Sequence, residues 1–334
     1  MHMADALIAP AVAGTMYVFS AAAAAHSVHR VRLESDQKKI PEMGVMGAFV
    51  FAAQMINFSI PGTGSSGHIC GGMLLTALLG PQAAFLTMIA VLVIQCLFFA
   101  DGGLLALGCN IWNMAFYGCF VGGYLIWKPL MAKGATKKRI TLAAVLGSII
   151  TLQLGAFSVV LETKLSGITQ LPFSVFAGTM QPIHLAIGLV EGLITAAVLC
   201  FIHEARPEML WGAGKQGEGK FSFRTTVAIL LIAALVIGGG LSLFASSHPD
   251  GLEWALEKVA GTAELEAEGS AYQTASDIQE ATAVLPDYAV EGSDSPAGTT
   301  LSGVAGSLAV LVVSVLACWA FRFFRHRGSE QKRA

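Results

Sequence analysis

The chain has 334 residues, 54% of them apolar and 13% charged, where a soluble domain carries roughly a quarter charged residues. That composition, with a mean hydropathy of +0.66, reads as a polytopic membrane protein. Lys and Arg number 20 against 22 Asp and Glu, and a net charge of -2 supplies no basic field to draw the chain to nucleic acid. The six cysteines, Cys70, Cys96, Cys109, Cys119, Cys200 and Cys318, lie scattered through apolar segments without CxxC spacing. They read as small core residues, not as a disulfide framework or a zinc site.

The opening MHMADALIAPAV has no Lys or Arg before its apolar run, so the charged start of a cleavable signal peptide is missing. The expectation is that Met1 and His2 stay on the mature protein. Apolar runs at 8–27, 43–59, 83–100, 110–127, 140–161, 182–203, 224–246 and 301–321 predict membrane spans. Ile69 to Gly80 is short, and counting it as a crossing predicts nine.

Positive charge tests that count, because cytoplasmic loops collect Lys and Arg. Residues 26–42 carry Arg30, Arg32, Lys38 and Lys39, and 128–139 carry Lys128, Lys133, Lys137, Lys138 and Arg139. Segment 204–224 and the tail after 321 are also basic, whereas 247–300 has Lys258 alone beside many Asp and Glu. These assignments agree only with an external N-terminus, a cytoplasmic C-terminus and a crossing at Ile69 to Gly80. Met1 and His2, the loop Pro61 to His68 and the turn Asp101 to Asn110 then share the outer face.

The expected fold is therefore an all-α membrane protein: a seven-helix substrate-binding bundle over 1–205, a cytoplasmic linker over 206–223, and a two-helix C-terminal hairpin over 224–334. The hairpin carries a long external loop, 247–300, whose tail Gly292 to Thr300 reads as flexible. Ala21 to Ala25 gives the first span a face of small residues, suited either to an internal helix contact or to a partner helix.

A histidine at position two is a ready chelator. The terminal amine, the deprotonated backbone amide of His2 and its imidazole close a five-membered and a six-membered ring on one ion. One in-plane position remains, and four nitrogens in a square suit a d⁸ or d⁹ ion, Ni(II) or Cu(II), with Co(II) a less ideal fit. His68, ending the glycine-rich loop Gly62 to His68, is the natural fourth ligand, with Ser65 and Ser66 placed to orient ligands. Taken singly, His2 reads equally as a frayed terminus and His68 as a loop histidine; the shared face joins them. The imidazoles, with ordinary pKa values near ~6.5, are expected to set the upper part of an acid loss of binding.

Asp101 is the only formal charge between Met43 and Trp127, and it and Asn110 suit a supporting role. His184 opens the seventh span, and Glu191 within it reads either as a functional intramembrane carboxylate or as a structural acid. Glu162 is expected near the interface. Gly214 to Phe221 imitates a P-loop, but Phe221 replaces the required Ser or Thr and no strand precedes it, so the chain has no ATP site of its own.

These residues resemble the substrate-binding membrane component of energy-coupling-factor nickel/cobalt transporters, the CbiM/NikM type. Met1-His2-Met3-Ala4-Asp5-Ala6, Gly67-His68, Ala100 to Leu104, Gly108-Cys109-Asn110 and His184 to Gly192 carry the resemblance over about residues 1–205. Ser247-His248-Pro249-Asp250-Gly251-Leu252-Glu253 resembles the family's small PDGLE-bearing, NikN-like component. The resemblance implies Ni(II) or Co(II) as transported substrate, held by Met1, His2 and His68. It also implies a transmembrane coupling subunit and two ABC ATPase subunits as partners, with Ser65, Ser66, Asp101, Asn110, His184 and Glu191 as supporting residues. No family role attaches to Cys70 or Cys109. A non-transporting membrane metal sensor or sequestering protein using the same ligands is the alternative.

Overall fold

The computed structural model describes residues 1–31, 38–214, 219–263, 265–290 and 297–331, with side chains as far as residue 320. Its helices follow the apolar runs. They are α1 (Pro10–Arg30), α2 (Lys39–Gln54), α3 (Gly72–Leu79), α4 (Pro81–Phe99), α5 (Leu107–Asn110), α6 (Lys128–Met131), α7 (Lys137–Ser166), α8 (Phe173–Ala205), α9 (Phe223–Gly239), α10 (Gly251–Ala260), α11 (Ser270–Thr282) and α12 (Ala297–Gln331). Between α5 and α6 the helix widens to i→i+5 spacing over Ile111–Trp127. Among the described residues, five helices are long and apolar enough to cross a membrane: α1, α4, α7, α8 and Ala297–Ala320 of α12. Their outward faces are lined by exposed aliphatic side chains such as Leu165, Leu193 and Leu316, as a lipid environment requires.

Prolines at the first turns of α1 and α4 start those helices where a missing N–H leaves no partner unpaired. α7 is capped by Thr136, whose hydroxyl accepts from the Arg139 amide. It lies along α8, while α9 and α12 pack against each other and against α2. Residues 215–218, in the linker and the P-loop imitation, and Arg32 lie outside the described residues, as do 291–296 of the expected flexible tail; from Ala297 the chain is helical.

The run Ile69 to Gly80 is built differently from the other spans. Its helix, α3, has eight residues, about 12 Å at ~1.5 Å per residue, so it cannot cross about 30 Å of hydrocarbon alone. Before it, the strands β1 (Phe58–Ile60) and β2 (Ser65–Gly67) pair antiparallel, and non-helical backbone through residues 69–71, with Gly71 left-handed, is buried in the bundle. Non-helical backbone is tolerated there only if its polar groups find partners. Glu191 of α8 accepts from the Cys70 amide at 2.9 Å and the Gly71 amide at 3.0 Å, and Gln54 of α2 donates to the Cys70 carbonyl at 2.9 Å. Of the two readings of Glu191, these bonds support the structural one.

The long loop of the second module contains two helices, α10 and α11. Asp250 caps α10 by accepting from the Leu252 and Glu253 amides, and Glu253 accepts from the Asp250 amide, a capping box. Leu252, Ala255 and Leu256 face inward, laying α10 against α8, while α11 lies over α4.

Candidate metal centre

Three stretches distant in sequence meet at one end of the bundle. The N-terminal segment crosses the turn after α4, where the Gly103 amide donates to the Met3 carbonyl at 2.8 Å and the Ala106 amide donates to Asp5 at 2.9 Å. A side chain on Gly103 would overlap the Asp5 carboxylate, which explains the glycine in Asp101-Gly102-Gly103. Asn110 clamps the same segment from α5, accepting from the Met3 amide at 2.7 Å and donating to its carbonyl at 3.2 Å. The residues directly after the Met1-His2 dipeptide are thereby held in place.

The Met1 amine lies 3.3 Å from His68 Nε2, and the rings of His2 and His68 stack with centroids 5.5 Å apart at 19°. His68 Nδ1 faces the Ile69 carbonyl at 3.0 Å. With Nδ1–H donating there, Nε2 keeps its lone pair toward the amine. Met1, His2 and His68 are thus together. Among the described residues no group of three or more His, Cys, Asp and Glu is assembled to hold a metal; a centre here draws on the amine and backbone amide as well as imidazoles.

Of the supporting residues, Asp101 meets the site directly, with Oδ1 3.1 Å from His2 Nδ1. Its other oxygen accepts from Tyr288 of the second module at 2.5 Å. Ser66 instead holds the second module: its amide donates to the Pro249 carbonyl at 2.8 Å and its hydroxyl to the His248 carbonyl at 2.7 Å. The Ser65 hydroxyl bonds locally to the Ser66 carbonyl. His184 donates from Nδ1 to the Met180 carbonyl at 2.8 Å, and Gly251 packs against Ile187 and the other edge of the His184 ring, where a side chain would meet Ile187 first and then crowd the ring. That contact accounts for the glycine of the PDGLE motif. Glu162, expected near the interface, is buried and accepts from Asn113 at 2.7 Å.

The sequence reading missed four contacts. Asp250 Oδ2 lies 2.5 Å from the Met1 amine and 3.9 Å from His68 Nε2. Gln95 Oε1 lies 3.1 Å from His2 Nε2, and Gln54 backs Gln95. Lone glutamines inside otherwise apolar spans were the available signal, since buried polar side chains in a membrane must find partners. A cavity of about 1500 Å³ opens over His2, His68, Asp101, Asp250 and Glu253, walled on one side by the second module.

Burial dominates the electrostatics. It pushes His68 down to about 4, helped by the neighbouring ammonium, and lowers His2 although Asp101 opposes it. The amine is different: burial pulls it down, yet the Asp250 carboxylate outweighs burial and raises it above its ordinary 8.0. Burial would raise Asp250, but the ammonium and His68 together hold it well below the usual carboxylate range. The imidazoles are therefore neutral and ready to ligate at pH 7, while the amine is charged.

Long apolar helices with their polar groups gathered inward at one end define a multi-pass membrane protein with a metal-type donor set. Residues 2–209 match the CbiM family, described as the cobalt uptake substrate-specific transmembrane region, and 224–323 match the PDGLE domain. A relative in Archaeoglobus fulgidus, whose name reads "Putative fused nickel transport protein NikMN", is 36% identical over 94% of this chain and 96% of its own. A Rhodobacter capsulatus protein named fused nickel transport protein NikMN is 27% identical over 77% of this chain and 76% of its own. A solved structure titled as a truncated transition metal transporter superposes with a TM-score of 0.54 at 30% identity, covering 61% of this chain and 99% of its own. The chain belongs to the CbiM family of membrane metal-transport components, with a PDGLE domain following the CbiM region.

Proposed function

We propose that this protein is the ion-binding component of an ATP-driven energy-coupling-factor uptake system for nickel or cobalt. Met1 supplies its amine, His2 its backbone amide and imidazole, and His68 its Nε2, on the external face of the membrane. The observation that carries the reading is the amine of Met1 3.3 Å from His68 Nε2 with the His2 ring stacked beside it. Those donors make a four-nitrogen set suited to a d⁸ ion. Ligation requires the amine and the His2 amide to lose their protons. Met3, held by Asn110 and Gly103, fixes the chelating dipeptide in place, and Asp250 supplies negative charge beside the incoming cation.

In this reading residues 1–205 form the seven-span binding module and 224–334 the two-span PDGLE module, nine crossings in all, with the N-terminus outside. Energy comes from a separate coupling subunit and two ATPase subunits, because the chain's nearest approach to a P-loop lacks its Ser or Thr. The test is nickel and cobalt uptake into vesicles holding this chain with or without its coupling and ATPase partners, with metal analysis of the purified protein. ATP-dependent accumulation only with the partners supports the reading. Tight metal binding with no accumulation in their presence would favour a sensor or sequestering protein.

A further inference from the structure

Two glutamines beneath the site form a hydrogen-bond relay whose direction is set by a backbone carbonyl. Gln54 on α2 and Gln95 on α4 are both buried. Gln54 Nε2 lies 2.9 Å from the Cys70 carbonyl, Gln95 Nε2 lies 2.9 Å from Gln54 Oε1, and Gln95 Oε1 lies 3.1 Å from His2 Nε2. A peptide carbonyl can only accept, so Gln54 must turn its NH₂ toward Cys70 and its own carbonyl toward Gln95. Gln95 must then donate to Gln54 and present its carbonyl to His2. The His2 nitrogen facing it, Nε2, must therefore carry the hydrogen.

That direction has a consequence for the metal. The chelate ring that joins the His2 amide to its own imidazole is six-membered only through Nδ1; Nε2 is too far around the ring to close it. Nδ1 faces Asp101 Oδ1 at 3.1 Å, an acceptor that favours a hydrogen on Nδ1 and would mask the ligand. The relay favours the other nitrogen.

We propose that Gln54 and Gln95 are positioning residues that hold His2 with its hydrogen on Nε2, so that Nδ1 is presented to the transported ion. The proposal rests on His2 being a ligand. The relay acts from buried helices behind the imidazole and makes no contact with the ion. Metal-bound histidines depend in this way on the group that receives their other N–H, whose loss typically costs about 10–100-fold in affinity.

The experiment uses the full chain in lipid, loaded with Ni(II), with calorimetric affinity, visible absorption, thermal unfolding and ¹⁵N spectra of labelled histidine as readouts. In the nickel-loaded wild type, His2 is expected to show a protonated Nε2 and a metal-shifted, unprotonated Nδ1; the reverse assignment overturns the proposal with no variant needed. Gln95→Met is expected to bind nickel about 10–100-fold more weakly, and Gln95→Glu, which retains an acceptor facing His2, to recover most of that loss. Gln54→Met should lose less than Gln95→Met, because Gln95 still offers its carbonyl in one of two orientations. Removing the competing acceptor as well, in Gln95→Met with Asp101→Ala, should cost less than the two losses added. Unchanged affinity and absorption in a folded Gln95→Met protein would overturn the relay. His2→Ala separates this from the ligand reading: wild-type affinity in that variant sinks the ligand set itself, whereas its loss beside an unaffected Gln95→Met sinks the relay alone.

Discussion

The amine of Met1 and the carboxylate of Asp250 lie 2.5 Å apart across 249 positions of sequence, which joins the N-terminus of the binding module to the PDGLE motif of the second. The same carboxylate caps α10 through the Leu252 and Glu253 amides, so its position is set by a helix terminus rather than by a mobile loop. The second module therefore reaches the atoms proposed to ligate the metal.

The pH dependence of binding should follow this pair. His68 is held down to about 4 and His2 is also lowered, burial being the main cause in each. Both imidazoles therefore contribute less to the decline between pH 7 and 5 than their ordinary values suggest. The amine is raised above 8.0 by Asp250 against burial. It is protonated at pH 7, and each proton displaced by the metal makes affinity fall about tenfold per pH unit. Asp250→Asn removes the charge that raises the amine, so the decline should begin at lower pH than in the wild type. Calorimetry from pH 8 to 5 on both proteins checks this; superimposable profiles would refute it.

Placing one extra residue before Met1 should abolish high-affinity binding. The added peptide bond moves the free amine out of the five-membered ring and out of its contact with Asp250. An uncleaved N-terminal extension that bound nickel as tightly as the native chain would remove the amine from the site.

His68→Ala should weaken nickel binding by more than the about 10–100-fold typical of a residue behind a ligand, with little change in thermal unfolding. His68 lies just beyond the strand β2, outside the helices. Equal affinity in this variant would exclude His68 as a ligand.

Glu191→Ala should destabilise the bundle. It leaves the Cys70 and Gly71 amides without their acceptor in the bundle interior, at about 1–3 kcal/mol for each orphaned group. Glu191→Gln keeps one acceptor oxygen and should fall between. Thermal unfolding in detergent measures both, and an Ala variant as stable as wild type would return Glu191 to the functional reading.

Local chemistry was legible in the residues themselves. Apolar run length marked where helices form, since hydrocarbon rewards about 20 consecutive apolar residues whatever their neighbours. The proposed Met1-His2 chelate was legible because its rings would close through covalent bonds of adjacent residues, and charge bookkeeping put His68 and the Asp101 turn on the same face as that dipeptide. The exception is the run Ile69 to Gly80, where an apolar stretch suggested a short span and the chain forms only an eight-residue helix with non-helical backbone before it. That shape depends on Glu191 and Gln54 satisfying its amides and carbonyl from other helices.

What tertiary structure alone decided is pairing at long range. The partner of the Met1 amine, the acceptors on either side of His2 and the acid beneath Cys70 come from Asp250, Gln95, Asp101 and Glu191, residues with no sequence periodicity in common. A hydrogen bond or ion pair is specified by distances of about 3 Å, and only packing of the helices brings groups so far apart in the chain to that separation. The residues proposed to ligate the ion were therefore set by neighbours in sequence, and the charge and hydrogen-bond direction around them by neighbours in space.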